Sequence, residues 1–351
     1  MRLILAILLF TATAQAQGFK SYIQYFTTGS YRNTEGDLIV KTNGQLYTVW
    51  GKFHNNLDDA AVADLAAKVS SDSGRNWTDL GVIQQNIGLQ TTTSVSLIRI
   101  SSTVVHLYFC VKNSNTDLRI YRKISSDDCV TWGSPTEVIN DNGYMPALNN
   151  TVRKLASGRL IISIYFSANV GVIPPNYCMA YCWYSDNNGT SWTKSTPNLT
   201  RSIGVGYTEP STVETSAGNL LMVIRNNSGF QHFSTSTNNG ATWTAPVAST
   251  LTTTDSPAKI IKLSTGKLIA IHNPTGTGMT DPRNVLRLSG STDNGATWVK
   301  IIDLEGYTAG YNFSYSSAVE YNDNLLLTYW EANSAAGKLA HKFASIPIST
   351  L

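Results

Sequence analysis

The phrase Ser-x-Asp-x-Gly-x-x-Trp governs what this chain can become, because variants of it return along the sequence at a near-constant interval. It stands intact at Ser70, Asp72, Gly74, Trp77 and at Ser291, Asp293, Gly295, Trp298. Ser125, Asp127, Cys129, Trp132 lack the glycine, while Ser185, Asn187, Gly189, Trp192 and Ser236, Asn238, Gly240, Trp243 carry Asn for Asp. The tryptophans follow one another at 55, 60, 51 and 55 residues, the signature of a repeated supersecondary unit. Each residue type suits a tight hairpin: Asp or Asn folds back onto backbone N–H groups, Gly supplies positive φ, and Trp buries a ring between neighbouring sheets. The phrase is therefore structural. One carboxylate per copy, with Asn replacing it in two copies, is too little oxygen charge for a calcium cage.

Short alternating apolar runs fill the intervals: Asp37 to Val40, Gln45 to Trp50, Ser94 to Arg99, Val104 to Val111, Arg159 to Phe166, Asn219 to Ile224, Lys259 to Leu263, Lys267 to His272 and Leu325 to Trp330. Turn signals such as Thr42-Asn43-Gly44, Ser157-Gly158, Ala217-Gly218 and Thr265-Gly266 separate them. Ala60 to Lys68 imitates a helical pattern, but its place just before a copy of the phrase makes it a strand. Units of roughly 55 residues with about four strands each, repeated through the chain, predict an all-β, six-bladed β-propeller. The last strand, near Leu339 to Ile346, is expected to pair with the N-terminal segment Phe19 to Phe26.

Residues 1–16 read as a signal peptide, with basic Arg2, the apolar run Leu3 to Phe10 and Ala14-Gln15-Ala16. That assigns 17–351 to one domain of a secreted or periplasmic protein. The apolar run is too short to span a bilayer. A net charge of +3 without a dense basic stripe argues against a nucleic-acid partner. The four cysteines, Cys110, Cys129, Cys178 and Cys182, permit three disulfide pairings or none, and the lack of a histidine cluster beside them argues against zinc.

The repeated phrase resembles the Asp box of the sialidase (neuraminidase) superfamily. Asn33-Thr34-Glu35-Gly36-Asp37 resembles the opening segment of that superfamily's bacterial BNR-repeat branch, and the likeness covers essentially the whole mature chain. The resemblance implies an exported, retaining exo-α-sialidase without cofactor or metal, acting as a monomer on a glycan or glycoconjugate. A propeller that binds glycans without cutting them, or a glycosidase for another sugar, is the alternative. It also implies a site. Tyr315, in Phe313-Ser314-Tyr315-Ser316-Ser317, matches the nucleophile and Glu209, in Tyr207-Thr208-Glu209-Pro210, its base. Arg225, ending Gly218 to Arg225, and Arg283, eight residues before Ser291, match two carboxylate-gripping arginines. Asp59 is the candidate acid/base, with adjacent Asp58 as its rival. Aligning on Asp37 to Val40 puts Thr34 and Glu35 where the family's first arginine belongs, so Arg153 and Arg32 both stand as replacements, with Glu35 facing the substrate. His54 and His272 are read as rim or core residues, and Tyr144, Tyr177 and Tyr207 as rings on which a sugar could stack.

The residue types suit the chemistry. A ketosidic carbon bearing a carboxylate repels a carboxylate nucleophile, whereas a neutral tyrosine with a glutamate base avoids that clash. Arginine's planar fork matches a carboxylate bidentately. Clustered arginines are expected to depress the phenol pKa.

Overall fold

The computed structural model describes residues 18–139, 141–216, 218–275 and 283–351. The expected signal peptide, Ala217 of one turn signal, and Asp281 and Pro282 lie outside the described residues. The chain is all-β, and its strands pair chiefly with their neighbours in sequence, so each interval of the repeat becomes an antiparallel meander.

β1 (Phe19–Gln24) precedes β2 (Arg32–Val40), β3 (Leu46–Phe53), β4 (Ala63–Ser70) and β5 (Thr78–Gln84), which pair in that order. The next four-stranded sheet runs β6 (Thr91–Arg99), β7 (Val105–Ser114), β8 (Asp117–Ser125), β9 (Thr136–Ile139). A five-stranded sheet holds β10 (Val152–Lys154), β11 (Leu160–Phe166), β12 (Met179–Ser185), β13 (Thr193–Lys194) and β14 (Leu199–Thr200). Two further four-stranded sheets follow: β15 (Thr208–Glu214), β16 (Leu220–Arg225), β17 (Phe230–Ser236), β18 (Val247–Thr252), and β19 (Lys259–Lys262), β20 (Leu268–His272), β21 (Leu286–Ser291), β22 (Val299–Glu305). The last meander, β23 (Tyr311–Tyr321), β24 (Asn324–Asn333), β25 (Lys338–Pro347), takes β1 as its fourth strand, antiparallel to β25. It joins the first meander through a parallel contact at Arg32 and Leu339, making an eight-stranded sheet.

The expected pairing of the last strand with the N-terminal segment is present, and the Ala60 to Lys68 stretch is largely β4. The four cysteines are buried free thiols.

The repeated phrase closes the hairpin after the third strand of five successive meanders. In each copy the serine hydroxyl, buried below the turn, accepts the N–H of the glycine position at 2.8–2.9 Å. It donates to the Asp or Asn side chain. That side chain in turn accepts the N–H of the residue before Trp at 2.8–2.9 Å. Asn and Asp serve alike because the accepting atom is an oxygen in both. Ser73 and Gly74, and their counterparts through Asn294 and Gly295, all have positive φ, a pair of left-handed residues that reverses the chain inside the longer loop between the third and fourth strands. Cys129 adopts φ +67° without being glycine.

Each tryptophan ring packs on the meander before its own: Trp77 on Phe343, Trp132 on Tyr47, Trp192 on Tyr108 and Trp298 on Phe233. Only Trp243 is fully buried; the other four box tryptophans are half-buried. They cover seams between sheets, as expected, with part of each of these four rings left at the surface.

Candidate active site

Opposite the box turns, at the starts of the first strands and the ends of the second, a cavity of about 470 Å3 opens. One backbone device shapes it. Glu35 and Gly36 together face the single residue Trp50, because the register steps from Thr34–Gly51 to Asp37–Val49. The same extra residue recurs at Ser94-Val95, Glu209-Pro210 and Tyr315-Ser316. Glu35, Ser94, Glu209 and Tyr315 have φ of +53°, +58°, +45° and +54°, and Asn150 and Asp255 just before the other two first strands have +52° and +56°. A left-handed residue at the head of a bulge re-aims its side chain, and for a non-glycine residue it costs on the order of 1–3 kcal/mol. Here the strain falls on three residues expected at the site, Glu35, Glu209 and Tyr315, and on three that were not, Ser94, Asn150 and Asp255.

Their side chains converge. The Tyr315 hydroxyl donates to Glu209 Oε1 at 2.7 Å across 106 residues of sequence. Glu209 Oε2 accepts from Arg225 at 2.6 Å, and Arg225 Nε also reaches Asp255 at 3.0 Å. The Arg283 guanidinium lies 5.5 Å from the Tyr315 ring centre and 5.9 Å from that of Trp330, on which Tyr315 stacks at 6.1 Å. Arg32, Asp59, Glu209, Arg225, Arg283, Tyr315, Trp330 and Tyr165 all line the cavity. The buried Asn149 amide donates to the carbonyls of Gly36 (2.9 Å) and Tyr315 (3.0 Å) and so ties two bulges together.

Arg32, at the start of β2, is the arginine that the first strand brings into the cavity. It bonds Asp59 at 2.5 Å, Glu35 at 3.0 Å and the Leu57 carbonyl at 2.8 Å, and it lies 4.4 Å above the Phe53 ring. Counting back from Asp37 along a regular strand misses it, because the bulge at Glu35-Gly36 inserts a residue and resets which side chains face inward. Glu35 lines a smaller chamber of about 80 Å3 beside the main cavity, bonded to Ser94 and Arg32.

Arg153 is corrected. It bonds Asn150 Oδ1 at 2.9 Å and lines a different cavity at the far ends of the first strands, so it is not among the residues around Tyr315. Asp58 is also placed away from the cavity: its exposed carboxylate accepts the Ala60 N–H at 2.7 Å, whereas Asp59 faces the cavity with its side chain 78% exposed. His54 pairs with Asp64, and His272 is buried against Thr252 and Ser289. Tyr144 lines the small chamber, Tyr207 is buried with its hydroxyl on His232, and Tyr177 lines neither space. Trp330 and Tyr165 escaped the sequence reading; the end of the Leu325 to Trp330 run was the available signal for the former.

Electrostatics follow from burial and pairing. Burial, then Glu209, raise the Tyr315 phenol pKa; Arg283 and Arg225 pull it down but do not prevail. The expected depression by clustered arginines is thus reversed, and the phenol rests protonated, pointing its proton at Glu209. Burial also raises the Glu35 carboxyl, with Arg32 and Ser94 opposing. Burial works against the charge on Arg225, but Glu209, Tyr315 and Asp255 outweigh it and its pKa rises well above the usual value. Among the described residues no group of three or more His, Cys, Asp and Glu side chains is arranged to hold a metal ion.

A phenol on a carboxylate, ringed by three guanidinium groups on a sheet repeat with box turns, is the arrangement that the sialidase-like resemblance implied. Residues 44–327 match the BNR repeat-like domain family, and the chain belongs to that family. A Dyadobacter fermentans protein of unknown function superposes with TM-score 0.73 at 17% identity, over 95% of this chain and all of that one. Trypanosoma rangeli sialidase, solved with the inhibitor DANA, gives TM-score 0.75 at 12% identity, over 93% of this chain and 59% of its own. NanB, solved with Optactamide, gives 0.74 at 13% identity, over 94% and 71%. This chain therefore spans about three fifths of the T. rangeli sialidase chain. Among curated proteins none matches.

Proposed function

We propose that the six meanders are the blades of a β-propeller, residues 17–351, and that this propeller is an exported, retaining, exo-acting glycoside hydrolase of sialidase type. The observation that carries the reading is the Tyr315–Glu209 hydrogen bond inside a cavity shared with Arg32, Arg225 and Arg283. A substrate carboxylate is held by the arginine forks. The Tyr315 oxygen attacks the anomeric carbon while its proton passes to Glu209, and Asp59 gives a proton to the departing oxygen. Water, deprotonated by Asp59, then attacks the tyrosyl-linked sugar; the phenol leaves and regains its proton from Glu209, with net retention. A raised phenol pKa makes the base necessary, because free phenolate is scarce at neutral pH.

A second reading keeps the cavity and removes turnover. Arg32 is already held by Glu35 and Asp59, and Arg225 by Glu209 and Asp255, so an incoming carboxylate competes with resident ones. A fold hosts many functions, and a glycan-binding propeller fits that balance.

Incubation with a panel of fluorogenic α-sialosides and other glycosides, alongside Tyr315→Phe and Glu209→Gln, separates the two. Hydrolysis by the unaltered protein that both variants abolish supports the enzyme. Glycan binding without release of any leaving group supports the binding module.

A further inference from the structure

The cavity changes character from floor to lip. Its floor is ionic, whereas Leu57, Val170, Ile173, Val205 and Leu339 form much of the rim. On one side Val170 and Ile173 come from the β11–β12 loop and Val205 from the β14–β15 loop. Val172 and Ile203 carry that wall outward, 47% and 62% exposed. The wall is braced: the Cys178 N–H bonds the Val205 carbonyl and the Tyr207 N–H bonds the Cys178 carbonyl, both at 2.9 Å. Gly206 makes this possible, with φ +89° and so close an approach that a Cβ would sit 2.2 Å from the Cys178 oxygen. Leu57, 37% exposed, and Leu339 form the other rim. The Leu57 carbonyl accepts from Arg32 and the Leu339 N–H bonds the Tyr31 carbonyl, both at 2.8 Å.

Two preset apolar walls above an ionic floor match an occupant that is itself divided. We infer that the substrate is amphipathic: an acidic glycosyl unit on the floor, joined to an apolar aglycone that lies between the walls. The inference rests on the proposed function. The apolar half is the leaving group, because Leu57 stands two residues from Asp59, the group assigned to protonate the departing oxygen. The exposed rim side chains Leu57, Val172, Ile203 and Val205 are all apolar, and a polar glycan chain leaves them uncovered.

The test is binding of uncleavable thioglycosides of one acidic sugar, bearing a methyl, an n-octyl or a triethylene glycol aglycone, by calorimetry below the micelle concentration. The octyl compound is expected to bind at least about tenfold tighter than the other two, since covering two methylenes suffices for that factor. Val172→Asn and Ile173→Asn, both in the β11–β12 wall, should bring the octyl-to-methyl ratio toward one while leaving the methyl Kd unchanged. Equal affinity for all three ligands, or a ratio that neither variant moves, overturns the inference and leaves the acid-sugar reading standing. Failure of every ligand to bind overturns both.

Discussion

The two ends of the molecule use the same economy of means to opposite effect. At the box end, five turns make the same three hydrogen bonds, each closed within four residues of sequence. At the cavity end, the first strands repeat one backbone device, a left-handed residue, but hang a different side chain on each: Glu35, Ser94, Asn150, Glu209, Asp255 and Tyr315. Uniform side chains yield stability and a constant seam. Varied side chains on a uniform backbone yield a site whose members, remote in sequence, meet in one cavity. Losses at the cavity end should therefore appear in turnover and losses at the box end in stability.

The sharpest way to break that division is Tyr315→Phe, which removes the phenol oxygen and keeps the stacked ring. Turnover should fall by at least about a thousandfold with the thermal midpoint nearly unchanged; a residual rate near that of the unaltered protein would show that Tyr315 is not the nucleophile. Arg283→Ala comes next, with kcat/KM reduced about a hundredfold, the equivalent of roughly 3 kcal/mol for a lost charge-assisted contact. Steady-state kinetics on a fluorogenic sialoside measure it, and an unchanged value removes Arg283 from substrate recognition.

At the other end, Trp298→Ala should destabilise by about 2 kcal/mol, less than for a fully buried ring because part of its surface already meets water. Denaturant unfolding checks the size, and activity per folded molecule should not move. The smallest effect is Asp293→Asn, which copies the two boxes that already carry Asn. Asp293 is held down to about 2 by hydrogen bonds from Thr297 and Ser291. A depressed carboxylate contributes stability above its unfolded pKa and loses it as the pH falls through the folded one. The variant should thus match the parent at pH 7 and lose less stability between about pH 4 and 2. A parallel acid profile for both proteins would show that the box carboxylate is not an acid-sensitive contact.

The same contrast explains what the sequence disclosed. The box turns were legible because every partner lies inside an eight-residue phrase, and the strand runs because alternation follows the pleat. The serine's part was not, since its hydroxyl reads as a surface group until the turn buries it. At the cavity, Tyr315, Glu209, Arg225 and Arg283 were placed through resemblance, and the folded chain brings all four together. Arg32 and Arg153 were left as alternatives because a bulge leaves no compositional mark; its cost is paid in backbone conformation. Arg153 was misassigned for the converse reason, since β10 begins only after Asn150 has made its left-handed turn, and the guanidinium sits toward the other end of the strand.

The union of β1 with β25 sets an order of events on folding. Phe19 pairs with Ser345, and Lys20 and Tyr22 bond Glu305 and Glu331. β1 thus cannot be matched until β25, at the far end of the described residues, has been made. Contacts so remote in sequence form slowly, and a waiting strand with an open edge invites pairing with other chains. Interrupted synthesis should accordingly yield aggregation-prone fragments, whatever the local soundness of the meanders already complete.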